Sequence, residues 1–222
     1  MDSGLNDVRG RIALAAARVG RDPAEVALVV VTKGVPDAAV QAAYDAGVRD
    51  FGENRADTLV GRVPGLPGDI RWHFIGRLQG NKVRRVQPLV HLLHSLDRTE
   101  LARYWAAAAA GPPPVLVEVN VSGEGAKAGV APGDVEALVA TATGLGLEVR
   151  GLMTMAPLAA DPEAARPHFA ALRRLRNRIG PRFPALTELS MGMTDDFEVA
   201  VEEGATILRV GRAIFRSSPK EG

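Results

Sequence analysis

The chain has 222 residues, 46% of them apolar and 24% charged, with a net charge of +1 at pH 7. That balance is ordinary for a globular protein and gives no broad attraction to nucleic acid or membrane. With no cysteine in the sequence, disulfides, thiolate nucleophiles and cysteine-held metals are excluded.

The N-terminal residues 1–10 lack the basic and apolar regions of a signal peptide, and the longest bland stretch, 106–111, is too short to span a bilayer. A cytoplasmic protein without a membrane or nucleic-acid partner is expected. An amphipathic helix from Leu5 to Val19 comes first, followed by a strand over Leu28–Thr32. Residues 36–47 form a helix with Asp37 near its start and Gly47 at its stop, leading to a strand over Val48–Gly52. Strands then recur at Arg71–Ile75, Val90–Ser95, Val115–Val121, Glu148–Thr154, Glu188–Met193 and Ile207–Val210. Most are near-continuously apolar and β-branched, the signature of strands covered on both faces. Pro-rich pieces at 64–69 and 111–115 are turns between helix and strand.

Two later helices carry clear end signals. The one after Asp161-Pro162 sets Phe169, Leu172, Leu175 and Ile179 on one stripe and stops at Gly180. The other starts at Thr194/Asp195 and stops at Gly204. Eight strand-helix alternations predict a (β/α)8 barrel, α/β in class, somewhat short of the usual ~250 residues. An open doubly wound sheet is the competing topology. No linker divides the chain, so one domain over 1–222 is expected, with a loose tail at 216–222.

The C-terminal rim of such a barrel is where active sites lie. The strand ends carry Lys33, Asn54, His73, His94, Asn120, Thr154, Met193-Thr194 and Arg209 to Arg212, whereas the opposite rim is mainly Gly, Ala and Pro. Lys33 stands out because the chain holds four lysines (33, 82, 127, 220) against 23 arginines. A lysine amine freed of its proton by burial or a neighbouring cation forms an imine with a carbonyl compound; the plainer alternative is a lysine reaching into solvent. Thr194 and the Gly211–Arg212 segment occupy the customary phosphate-binding loops after strands seven and eight. Lysine and phosphate cradle together suit a phosphorylated carbonyl ligand, either pyridoxal 5'-phosphate or the sugar phosphate of a lysine-dependent aldolase. Arg209 facing a ring nitrogen would keep it unprotonated and the ring a poor electron sink; a rim ion pair with Glu53 or Asp196 is its alternative.

Eight blocks in order, among them VTKGVP, FGENR, WHFIGRLQGNKVR, GLMTMAP, SMGMTDDFEVAVEEG and RVGRAIF, resemble the YggS/PROSC family of pyridoxal phosphate homeostasis proteins over residues 5–216. The resemblance implies a modified TIM barrel similar to the N-terminal domain of alanine racemase. It implies pyridoxal 5'-phosphate (PLP) held on Lys33 as an internal aldimine, a Schiff base. Arg209 would stand near the pyridine nitrogen, Asn54 and His73 near the ring, Thr194 and the Gly211–Arg212 backbone at the phosphate, and Met193 among the cofactor-binding residues. The family implies a role in vitamin B6 balance rather than turnover, with PLP-dependent apo-enzymes as recipients of the cofactor. A PLP-dependent amino-acid racemase or lyase is the alternative, weakened because alanine racemase draws one acid/base group from a further domain, while Tyr44 and Tyr104 fall on helices away from the rim.

Three departures from the family pattern stand out: Thr194 for serine, Arg212 for a small hydroxyl residue, and Arg216 for glycine. The basic cluster Lys82/Arg84/Arg85 reads as a solvated helix face rather than an RNA site, with a docking patch for a recipient enzyme or a second, weaker cofactor-handling site as alternatives. His91, His94 and His168 read as structural, and no histidine has metal-ligand spacing. A monomer is expected.

Overall fold

The computed structural model describes residues 2–124 and 128–215. Lys127, Lys220, Arg216 and the tail 216–222 lie outside the described residues.

Helix α1 (Asp2–Arg18) leads into β1 (Ala27–Val31), and strands and helices then alternate: α2 (Asp37–Asp45), β2 (Asp50–Glu53), α3 (Ala56–Arg62), β3 (Arg71–Phe74), α4 (Val83–Val86), β4 (Leu92–Leu96), α5 (Thr99–Ala108), β5 (Val115–Glu118), α6 (Val135–Gly144), β6 (Val149–Met153), α7 (Arg166–Ile179), β7 (Glu188–Ser190), α8 (Phe197–Glu202), β8 (Ile207–Val210) and α9 (Arg212–Phe215). The strands close into one parallel barrel in sequence order. Closure is made by β8 on β1, with Ala27 opposite Ile207 and Val30 opposite Val210. The open sheet is thereby ruled out.

Alternation along the strands divides the apolar residues between two places. Val29, Leu92, Leu116, Met153 and Ile207 fill the barrel lumen. Their neighbours Val30, Phe51, Leu93, Val117, Leu152, Leu189 and Leu208 join the layer between sheet and helices. Phe169, Leu172, Leu175 and Ile179 are buried, so the stripe on α7 packs as its spacing predicts.

Several boundaries differ from expectation, among them β5, which ends at Glu118 rather than Val121, and for three the reason is visible. β2 starts later because the Val48 N–H is spent on Ala43 O, closing α2. β7 ends early because the chain turns at Gly192, φ +94°, where a side chain would sit 2.5 Å from Ala200 Cβ; only glycine accepts both the angle and the approach. α8 begins after Asp196 rather than at Thr194, and Asp196 caps the turn by accepting from Met193 N at 2.6 Å. Thr194 therefore sits in a turn and is not the helix cap. α7 stops at Ile179 with Gly180 as its cap, as expected, although Gly180 keeps helical angles (φ −49°) and leads into a tight turn over Gly180–Arg182.

Candidate functional site

Lys33 stands in the turn just past the C-terminal end of β1. It is exposed and has no hydrogen bond or ion pair among the described residues. The carbonyls on both sides of it are held by one cation. Arg62, at the end of α3, donates to Thr32 O at 3.2 Å and to Val35 O at 2.6 Å. The same guanidinium pairs with Glu53 at 3.2 Å and Asp37 at 2.7 Å. Glu53 also accepts from Thr32 Oγ1 and from Asn54 N. One buried ion pair thus fixes the turn of Lys33 and the start of the next loop, where Asn54 sits. Asn54 Oδ1 is buried and has no partner among the described residues.

The loops after β7 and β8 adjoin this corner. A side chain at Gly211 would stand 2.8 Å from Val31 O, so only glycine lets the β8 loop lie against β1 two residues before Lys33. The N–H groups of Thr194, Gly211 and Arg212 find no protein acceptor among the described residues. Met193, on the same loop, is half-buried, and its N–H is committed to Asp196. The Arg212 side chain turns outward and pairs with Asp195.

Arg209 points into the lumen from β8 and is buried. It donates to Ser190 Oγ at 2.5 Å and to Thr154 O at 2.8 Å. Neither Glu53 nor Asp196 forms the rim ion pair considered for it; Glu53 is taken by Arg62. Burial lowers the guanidinium to about 10, opposed by the nearby charges of Asp196 and Glu118. It therefore remains protonated at neutral pH.

His73 also faces the lumen, but lower, and both its nitrogens are engaged. Nε2 lies 3.1 Å from Asp50 Oδ1 and Nδ1 lies 2.9 Å from His94 Nε2. It reaches the mouth only through His94, whose Nδ1 is 2.9 Å from Ser190 Oγ.

Sequence reasoning passed over Arg62, Ser190 and Glu118, read His94 as structural, and named Glu53 only as a partner for Arg209. For Ser190, His94 and Glu118, inward alternation on their strands was the available signal. Glu118 ends β5, is 3% exposed and makes no side-chain hydrogen bond among the described residues. Burial, then the charge of Asp97, pushes its carboxyl up to about 7. No group of three or more His, Asp or Glu able to hold a metal occurs among the described residues.

A family model described as "Alanine racemase, N-terminal domain" matches residues 5–219. A pyridoxal phosphate homeostasis protein from Pseudomonas aeruginosa is 44% identical over 213 residues, 94% of this chain and 91% of the relative. The one from Aquifex aeolicus is 42% identical over 217 residues, 95% of each chain. The chain belongs to the pyridoxal phosphate homeostasis protein family. The solved structure of PipY from Synechococcus elongatus, with PLP bound, is similar at 35% identity and a TM-score of 0.78, covering 92% of this chain and all of that one. The family's barrel is therefore the frame in which Lys33, Asn54 and Arg209 are brought to one end. No helix among the described residues is long and apolar enough to cross a membrane.

Proposed function

We propose that this chain binds pyridoxal 5'-phosphate at the C-terminal mouth of the barrel and serves vitamin B6 balance as a holder and donor of the cofactor. The observation that carries the reading is the unpartnered amine of Lys33 beside unfilled donors and acceptors suited to that molecule: Asn54 Oδ1 and the N–H groups of Thr194, Gly211 and Arg212.

When bound, the cofactor supplies an aldehyde that condenses with an amine, releasing water, and a ring able to take up electron density. Lys33 is the amine. Backbone N–H groups of the β7 and β8 loops, with the Thr194 hydroxyl, hold the phosphate as hydrogen-bond donors. Gly211 keeps that loop against β1, so amine and anion site stay in register. Asn54 and Met193 border the ring. Arg209, staying protonated, would face the ring nitrogen and leave it without a proton. This setting disfavours carbanion chemistry and suits holding over turnover. His73 acts behind Arg209 rather than on the ring. The cytoplasm, where PLP-dependent apo-enzymes would take up the cofactor, is the compartment this role needs.

A second reading is favoured by one observation. Glu118 is an inward carboxyl without a hydrogen-bond partner whose proton is held up to about 7, the range of a general acid or base. An amino-acid racemase or lyase using the same cofactor would need such a group. The two are separated by mixing the chain with PLP, recording its visible spectrum, and then incubating it with L-amino acids before chiral chromatography. The holder reading expects a yellow complex, colourless in Lys33→Ala, and no more product than protein. Multiple turnovers would favour the enzyme. A Lys33→Ala protein with the same colour would overturn both.

A further inference from the structure

Five side chains from five strands join hands across the lumen. Asp50 opens β2 at the N-terminal end of the barrel and is partly exposed, beside a recess of about 530 Å³ that it lines with Arg49 and Arg71. From it the contacts run to His73 (3.1 Å), His94 (2.9 Å), Ser190 (2.9 Å) and Arg209 (2.5 Å). Arg209 lies near the other end, one residue before β8 stops. Apart from Glu118, the lumen beside it is filled by the apolar Val29, Leu92, Leu116, Met153 and Ile207, so this chain of polar groups would be costly if any member were left unsatisfied.

Donor and acceptor counting gives the chain a direction. An arginine only donates and a carboxylate only accepts. Asp50, held charged and well below the ordinary carboxylate range by His73 and Arg71 against its burial, requires the proton of His73 on Nε2. Neutral His73 then accepts at Nδ1, so His94 carries its proton on Nε2. Neutral His94 accepts at Nδ1, so the Ser190 hydroxyl donates there. That leaves a Ser190 lone pair for Arg209. Burial pushes the fully enclosed His94 well below its ordinary value, which favours the neutral ring. Every atom is satisfied in this arrangement. An extra proton on His73 would reverse each step as far as Ser190, whose hydroxyl would then need another acceptor, and none is at hand among the described residues.

We propose that Asp50, His73, His94 and Ser190 form a one-way relay that fixes the pose of Arg209 from the opposite end of the barrel, making Asp50 a positioning residue for the guanidinium that meets the cofactor ring. The relay itself stands on the geometry above; only its effect on the ring rests on the proposed function. The groups facing it are Arg71 beside Asp50, and His91, whose ring centre is 5.7 Å from that of His73. Arg150, which acts on His91 from β6, lies further out. Thr154 O, the second acceptor for Arg209, anchors the other half of the guanidinium.

The test reads tautomers by long-range proton–nitrogen NMR of the histidine rings in the full chain without added ligand. The expected result is the Nε2–H form at both His73 and His94, each exceeding the Nδ1–H form by at least about tenfold, the factor a charge-assisted hydrogen bond supplies. Asp50→Ala should bring up the Nδ1–H form at His94, two links away. It should also shift the visible band of the chain loaded with pyridoxal 5'-phosphate. His91→Ala, outside the relay, should change neither. An Nδ1–H or doubly protonated His94 in the unaltered chain overturns the proposal, as does a His94 tautomer indifferent to Asp50→Ala. A tautomer shift without a spectral shift overturns the positioning of Arg209. Should Asp50→Ala fail to fold, the tautomers of the unaltered chain still decide the direction of the relay. A chain with the expected tautomers that takes up no cofactor would refute the proposed function and leave the relay standing.

Discussion

Arg62 and Glu53 show how much depends on one buried pair. Their side chains are 8% and 1% exposed, and between them they hold Thr32, Val35 and Asn54. Arg62→Ala would leave the buried Glu53 without its counter-charge, at a cost of about 3–5 kcal/mol. Urea unfolding should show that loss, and pairing the change with Glu53→Gln should recover a large part of it. Glu118 makes a different prediction, in pH. Its carboxyl is raised to about 7 from an ordinary 4.5. Between those values the folded chain keeps a proton that the unfolded chain has lost, so stability falls as pH rises through this window and levels off above it. The drop is at most about 3 kcal/mol. His91 and His94, pushed down by burial, slope the other way toward their ordinary 6.5. The clean reading is therefore the difference between the chain and Glu118→Gln, measured as urea midpoints from pH 4 to 8. A difference that stays constant across the window would refute the buried-acid assignment. At this scale the sequence was legible where a residue type is scarce: Lys33 stood out among four lysines. Arg62 could not stand out among 23 arginines, and its partners at Thr32, Val35 and Glu53 are brought together only by the fold.

Among the elements, α1 offers a test in which two effects compete. Glycine inside a helix costs about 1 kcal/mol relative to alanine. At Gly10 nothing lies within 4 Å of an added methyl, so Gly10→Ala should stabilise by about 0.5–1 kcal/mol. At Gly4 the methyl would meet Ile214 O at 2.7 Å and Ala213 O at 2.9 Å, both backbone atoms of α9. Overpacking of about 1–3 kcal/mol should outweigh the gain in propensity. Gly4→Ala is thus expected to destabilise, and thermal unfolding of the two variants side by side will show opposite signs. Since α9 follows directly on Gly211, Gly4→Ala should also weaken binding at the β8 loop. The eight strands and the α7 stripe were readable because alternation and helical spacing are local. The start of α8 was misread because Thr194, Asp195 and Asp196 are all competent caps. Which one caps depends on the turn at Gly192, set by contacts with Ala200 and Leu208.

For the whole molecule, barrel closure brings together residues as far apart as Lys33 and Gly211, and Asp50 and Arg209. None of those pairings is visible along the chain, which is why the rim residues were legible and the lumen relay was not. With its mouth built from its own strands, the chain should work alone. Light scattering should return the mass of one chain with and without the cofactor, and a dimer in either state would contradict that. The most direct trial of the central claim is to load the chain with pyridoxal 5'-phosphate, reduce it with borohydride and locate the added mass by peptide mapping. The account predicts one adduct per chain, on Lys33. An adduct spread over Lys82, Lys127 and Lys220 with Lys33 unmodified would contradict it.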